Sequence, residues 1–171
     1  MRLPPTQKLI AAGLSPTARS KRERRSRAQQ NVTMQHDLDR FLVEQRHVYA
    51  SVLEELRRGR KTGHWIWFIF PQLAGLGRSQ MSRDFAIGSL GEARAYLAHS
   101  VLGSRLRECA GLLLASKGRS ADGILGEIDA VKVRSCMTLF HRAAPDEPIF
   151  SQVLDRFYGG VADPATDELL R

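Results

Sequence analysis

Cysteine is almost missing from this chain, which holds two, Cys109 and Cys136, in 171 residues. Two thiols set among apolar neighbours are too few for the disulfide framework that small secreted domains need, which points to a reducing, cytoplasmic setting. Long apolar runs are missing as well. Leu9 to Leu14 is shorter than a secretory h-region, and no stretch approaches the roughly 18 apolar residues of a membrane span, so no membrane contact is expected. No second His, Cys or acid stands at ligand spacing from His99 and the chain shows no metal constellation, so no metal is expected, and no cofactor motif occurs. Repeats and heptad arrays are absent too, which excludes a solenoid or a coiled coil.

Acidic residues are scarce in one region only. Residues 1–33 contain eight Lys or Arg against the single acid Glu23, a formal +7 out of the chain total of +8, so the other 138 residues are nearly neutral. With Pro4, Pro5, Gly13, Pro16 and the charge run Lys21 to Arg27, this segment has too few large apolar side chains to offset the entropy of ordering. It reads as a disordered basic tail with nascent helix near Arg22 to Gln30. Because the texture changes at Met34, it also reads as a start-site extension. An Arg-rich, acid-poor start resembles an organelle transit peptide in composition, a reading set below the cytoplasmic one. A nucleic-acid or lipid partner would be implied only if the tail is functional, touching phosphates, and the tail lacks interleaved aromatics for base stacking.

What remains, residues 34–171, has the length of one domain. The chain's hydrophobic fraction of 43% and charged fraction of 26% are those of a globular protein. From Asp37, a plausible N-cap, Leu38, Phe41, Leu42, Gln45, Val48, Tyr49, Val52, Leu53 and Leu56 recur every three or four residues, which predicts an amphipathic helix stopped at Gly59. Further helices are predicted over Gln80 to Ile87, from the capping box Ser89–Glu92 through Leu97, and from Val101 to Leu113. His99, between the last two, is expected to cap carbonyls. Asp122 to Leu125 gives a short segment, Asp129 the N-cap of a helix with Val133, Cys136, Met137 and Phe140 inward, and Asp146 the cap of a helix through Phe157. Asp163-Pro164 pairs an N-cap with proline at the first helical position. The fold class is therefore mainly α, a compact multihelical domain.

At its centre lies GHWIWFIFPQ, Gly63 to Gln72. Every residue from Trp65 to Phe70 is apolar and four of the six are aromatic, so the run should be buried. Its backbone is open: six consecutive apolar residues fit a buried strand or a buried helix turn, with propensity leaning weakly to the extended form, and Pro71 biases Phe70 away from helix. The polar flanks, with nearby cations, make a candidate ligand site of Lys61, His64, Trp65, Trp67, Gln72, Arg78 and Lys132. Indole walls and Lys or Arg suit a nucleotide-derived metabolite, and His64 is the candidate general acid or base. GLGRS, Gly75 to Ser79, satisfies neither the P-loop nor the dinucleotide pattern and reads first as a plain turn. Arg134 or His141 could activate Cys136, yet a cysteine between Ser135 and Met137 in an apolar stripe reads as core.

Lys61 with HWIWFIFPQLAGLG, then EARAYLAHSVLGSRL, DAVKVRSCMTLF and RFYGGVADPAT together resemble a bacterial family known as domain of unknown function 1810, over about Leu38 to Leu170. The resemblance implies a mainly α-helical fold and no established activity. Some members carry the label calpastatin, which has no weight here, because calpain inhibitors are long disordered chains and this is a patterned domain. The family pattern often has Ser and Leu at Cys136 and Val133, which lowers a cysteine mechanism further. Two function classes stand beside each other: a small-ligand pocket, with or without catalysis, and a non-catalytic protein-interaction or regulatory module in which Trp65 and Trp67 are core.

Overall fold

The computed structural model describes residues 38–171. The readings of residues 1–33 and of Asp37 as a cap lie outside them. Helix α1 covers 38–58 and buries Leu38, Phe41, Gln45, Val52, Glu55 and Leu56 on one face. Gly59 ends it at φ 65°. There follow α2 (Ile66–Ile69), α3 (Gln80–Asp84), α4 (Leu90–Ala98), α5 (Leu102–Ala115), α6 (Ala121–Leu125), α7 (Glu127–Ala143), α8 (Pro148–Tyr158) and α9 (Pro164–Leu169). Among the described residues the only β pairing noted is an isolated bridge, Leu73 to Ile87. The fold is mainly α, as the spacing predicts, and no helix among the described residues is long and apolar enough to cross a membrane.

Helix α7 is the axis of the packing, touching α2, α4, α6, α8 and α9. Its inward stripe of Val133, Cys136, Met137 and Phe140 is buried throughout. A chain of rings ties four helices to one another: Phe41 meets Tyr96 edge-on at 5.1 Å, Tyr96 meets Phe140 at 5.4 Å, and Phe140 meets Phe150 at 5.8 Å. Each such pair adds to the burial of its area by about 1 kcal/mol. One polar side chain sits among them. Gln45 is 1% exposed, donates to the Phe68 carbonyl at 2.7 Å and to the Tyr96 hydroxyl at 3.1 Å, and accepts from Arg105 at 3.2 Å, so its burial leaves no unmade bond.

The aromatic stretch is a helical turn, closed by Ile69 N–H to the Trp65 carbonyl (3.2 Å) and Phe70 N–H to Ile66 (2.9 Å). Propensity leaned the other way; packing decides, because one turn lets Trp65, Ile66, Phe68, Ile69 and Phe70 all reach the core. Trp67 alone of the six is half-exposed.

Four local expectations need correction. The helix from Gln80 stops at Asp84, not Ile87, because Ile87 N–H donates to the Gln72 carbonyl and its own carbonyl accepts from Ala74, both at 2.9 Å, which requires extended backbone. His99 caps amides rather than carbonyls: its Nδ1 accepts the N–H of Val101 (3.2 Å) and Leu102 (3.3 Å) at the start of α5. Asp146 is not a cap. Glu147 takes that position ahead of Pro148, whose missing N–H needs no partner, and its carboxylate is gripped by the Arg107 fork at 2.7 and 2.6 Å. Asp129 is not a cap either. Gly126, at φ 82°, opens α7 earlier and leaves Asp129 in the first turn with its carboxylate free for other partners.

Candidate functional site

The turn between α1 and α2 is built on a buried carboxylate. Glu55, 6% exposed, accepts on Oε2 from Thr62 N–H (2.7 Å), Gly63 N–H (2.9 Å) and the Trp65 indole N–H (2.8 Å). Burial pushes its pKa upward, and these bonds outweigh burial and hold it below the ordinary range. Gly63 must be glycine: a Cβ there would stand 2.8 Å from Trp65 Cδ1 and 3.1 Å from Glu55 Oε1. Lys61 N–H reaches the Ile124 carbonyl at 2.7 Å and fastens the turn to α6.

Asp129 then joins this turn to α7. Its Oδ2 lies 2.7 Å from Lys61 Nζ and its Oδ1 2.8 Å from Lys132 Nζ, while Lys61 also donates to the Gly63 carbonyl at 2.6 Å. Each ammonium faces an indole, Lys61 5.1 Å from the Trp65 ring centre and Lys132 4.7 Å from that of Trp67. Burial pushes the Asp129 carboxyl up, but bonds and charge from Lys132 and Lys61 hold it below the usual value. In front of the triad lies an open depression of about 470 Å³, lined by Lys61, His64, Trp67, Leu125 and the first turn of α7 from Gly126 to Asp129. That helix starts without a side-chain cap.

Three of the seven site residues expected from the sequence, Lys61, His64 and Trp67, therefore line one depression, and Lys132 stands behind it through Asp129. Trp65, 2% exposed, is core. Gln72 and Arg78 are not on the lining. Gln72 is half-buried and uses its carbonyl in the Ile87 pairing, and Arg78 is exposed on the 75–79 loop, where Ser79 caps α3 by accepting from Ser82 N–H. Sequence reasoning missed Glu55, Glu127 and Ile128, and placed Asp129 in the wrong role. Its one available signal was charge: an Asp three residues before Lys132 on a helix is a standard ion-pair spacing.

The other polar residues of α7 hold the end of the chain. Arg134 donates to the carbonyls of Val161 (2.9 Å) and Ala162 (3.1 Å). Asp163 Oδ2 accepts from Ser135 Oγ (3.0 Å), Thr166 N–H (3.0 Å) and Thr166 Oγ1 (2.5 Å), and Asp163 N–H donates to Thr138 Oγ1 (2.8 Å). Both cysteines are buried. Burial pushes the Cys136 thiol well above its ordinary value and Cys109 up to about 12, which denies either a thiolate at neutral pH. No group of three His, Cys, Asp or Glu among the described residues is arranged to hold a metal ion.

The model of the family described as "Protein of unknown function (DUF1810)" matches residues 35–170. The chain belongs to the DUF1810 family. The crystal structure of the conserved hypothetical protein Rv1873 from Mycobacterium tuberculosis is similar to it, at 51% identity and a TM-score of 0.77 over 78% of this chain and 96% of that one. No curated protein matches the chain. Membership of DUF1810 thus agrees with the resemblance read from the sequence motifs and brings a fold without an activity.

Asp129 gives a direct stability test. With side-chain exposures of 9% for Lys61, 16% for Asp129 and 20% for Lys132, the triad is only partly solvated. Asp129→Asn leaves two ammonium groups without a counter-ion and is expected to cost about 2 kcal/mol at pH 7, less than a fully buried pair. Because the folded pKa is depressed, this contribution is present above the unfolded carboxylate value near 4 and is lost as pH falls through the folded one. Urea unfolding of both proteins should show the gap narrowing below about pH 4; a gap independent of pH would mean that Asp129 acts by packing.

Proposed function

We propose that the depression beside α7 binds a small organic ligand through a flat ring laid against Trp67, in a bacterial, cytoplasmic protein. The observation that carries this reading is the split between the two tryptophans. Trp65 is sealed in the core, whereas Trp67 is half-exposed on an open volume of about 470 Å³ that also meets His64. This lies in the size range of ligand pockets, and its Leu125, Ile128 and Trp67 surfaces with a few polar groups fit their chemistry. A nucleotide-derived ring suits the indole wall. Lys61 and Lys132 share the single carboxylate of Asp129 and so keep one net positive charge between them, while selectivity rests on the ring and on hydrogen bonds at His64 and the start of α7. His64 is exposed and no side chain among the described residues orients its ring, which supports a binding role before an acid–base one.

The rival module reading draws on Ile128 and Val131, 77% and 60% exposed one turn apart on α7, as the anchor of a protein partner. A metabolite-library thermal shift separates the two. The pocket reading expects at least one heterocyclic hit that quenches tryptophan fluorescence, with the shift abolished in Trp67→Ala and kept in Val131→Ser. A library that leaves the melting temperature unmoved, or a hit indifferent to Trp67, sinks it.

A further inference from the structure

The charge of the folded part is unevenly placed. Arg57, Arg58 and Arg60 crowd the end of α1, and the loop after α5, which carries Lys117 and Arg119, packs against the turn at Gly59. Contact between the two segments is direct: Arg119 Nη1 donates to the Gly59 carbonyl at 3.1 Å, and its Cδ lies 2.8 Å from where a Gly59 Cβ would stand. Arg156 of α8 adds a sixth cation by donating to the Ser116 carbonyl in the same loop. All six are exposed. The carboxylates nearest these cations along the chain or in contact with them are Glu54, Glu55, Glu108, Asp122 and Asp155, with Asp39 and Glu44 farther back on α1. Glu55 is buried under the turn, and Glu108 accepts from the Tyr49 hydroxyl at 2.6 Å and reaches Arg57 only at 4.0 Å. Arg58, Arg60 and Lys117 make no side-chain hydrogen bond or ion pair within the described residues.

We propose that this ridge, Arg57, Arg58, Arg60, Lys117 and Arg119, is a contact surface for the phosphate backbone of single-stranded nucleic acid. Four of the five are arginines, whose planar forks match phosphate oxygens in pairs. An anionic membrane would also answer the charge, but a bilayer surface site adds apolar side chains that enter the acyl boundary, and none of the exposed large apolar residues, Val43, Val101, Ile128, Val131, Val161 or Leu169, belongs to the ridge. The ridge ends one residue from the depression, since Arg60 directly precedes Lys61 on its lining, and a strand continuing past Arg60 would have the half-exposed Trp67 as a stacking surface. The inference does not depend on the small-ligand reading, because the cations act whether or not a metabolite fits the depression. It differs equally from any role of the basic residues before Met34.

The test uses the full chain with all eight Lys and Arg of residues 1–33 replaced by glutamine, so that the basic segment before Met34 cannot answer for the folded surface. Titrated into a fluorescein-labelled oligouridylate, this protein is expected to bind with an affinity that falls steeply with salt, by about 0.7 in the log–log slope for each phosphate neutralised. Adding R58E, R60E and K117E should weaken binding at low salt by more than about tenfold and flatten the slope, with the circular dichroism spectrum and melting temperature retained. R58K with R60K should keep most of the affinity, since the charge stays. Loss of all binding on neutralising residues 1–33, or equal binding by the triple reversal, overturns the proposal. Retention on phosphatidylserine vesicles without retention on RNA also overturns it, in favour of a membrane surface.

Discussion

Glu55→Ala is expected to lower the unfolding free energy by about 3 kcal/mol, a large fraction of the stability of a domain this size. The reason is the number of donors left behind. Thr62 N–H, Gly63 N–H and the Trp65 indole N–H all end on one carboxylate oxygen, and alanine strips the acceptor from one buried indole and two part-buried amides at once. Each orphaned buried donor costs about 1 kcal/mol or more, and a charge-assisted set costs more than neutral ones. Glu55→Gln should recover part of the loss, since one amide oxygen remains but no charge. The pH profile follows in sign: with a folded pKa held below the ordinary value, the carboxylate stabilises the protein above roughly pH 4.5, and that contribution drains away as pH falls through the folded pKa. Denaturant titrations of wild type and variant at pH 7 and pH 3 would check both, with the gap smaller at pH 3. An Ala variant as stable as wild type at pH 7 would show that the turn repacks without its anchor.

Phe70→Ala should cost about as much or more, roughly 3–5 kcal/mol, with a fall in melting temperature on the order of 10 °C. Phe70 is 0% exposed and packs 6.3 Å, centre to centre, from the Trp65 ring. Removing it opens a cavity under the α2 turn that Pro71 prevents the backbone from closing. Trp67→Ala removes a larger ring from the same turn and should cost far less, because that side chain is already half in solvent. Differential scanning calorimetry of the two variants tests the assignment of core and rim: similar losses would contradict it.

Much of this architecture is legible in the residue spacing. Leu38, Phe41, Gln45, Val52 and Leu56 name the buried face of α1, and Ser89 with Asp163 mark two helix starts whose side chains accept from Glu92 and Thr166 N–H as their spacing implies. The aromatic stretch was illegible because six apolar residues in a row carry no period; only the surrounding helices could choose a turn over a strand. Glu55 was hidden for a different reason. Within LEELRR it looks like one of two solvated acids, and its partners are backbone N–H groups seven and eight residues on, which leave no trace in side-chain spacing. Asp129 misled because aspartate suits both the cap and the first turn of a helix, and what separates the two here is the positive φ of Gly126.

The pairing of Leu73 with Ile87 also says where this protein can afford to change. Residues 75–84 hang from a neck made by the Ala74 and Ile87 amide bonds, and α3, which they contain, buries no side chain. The excursion is a tethered appendix whose base is set by two bonds and which leans on the core through the half-buried Leu76 and Met81. Lengthening a loop held at its neck costs little closure entropy, so this is the place where a fluorophore, an affinity tag or a new recognition segment can be spliced in beside an undisturbed helical body.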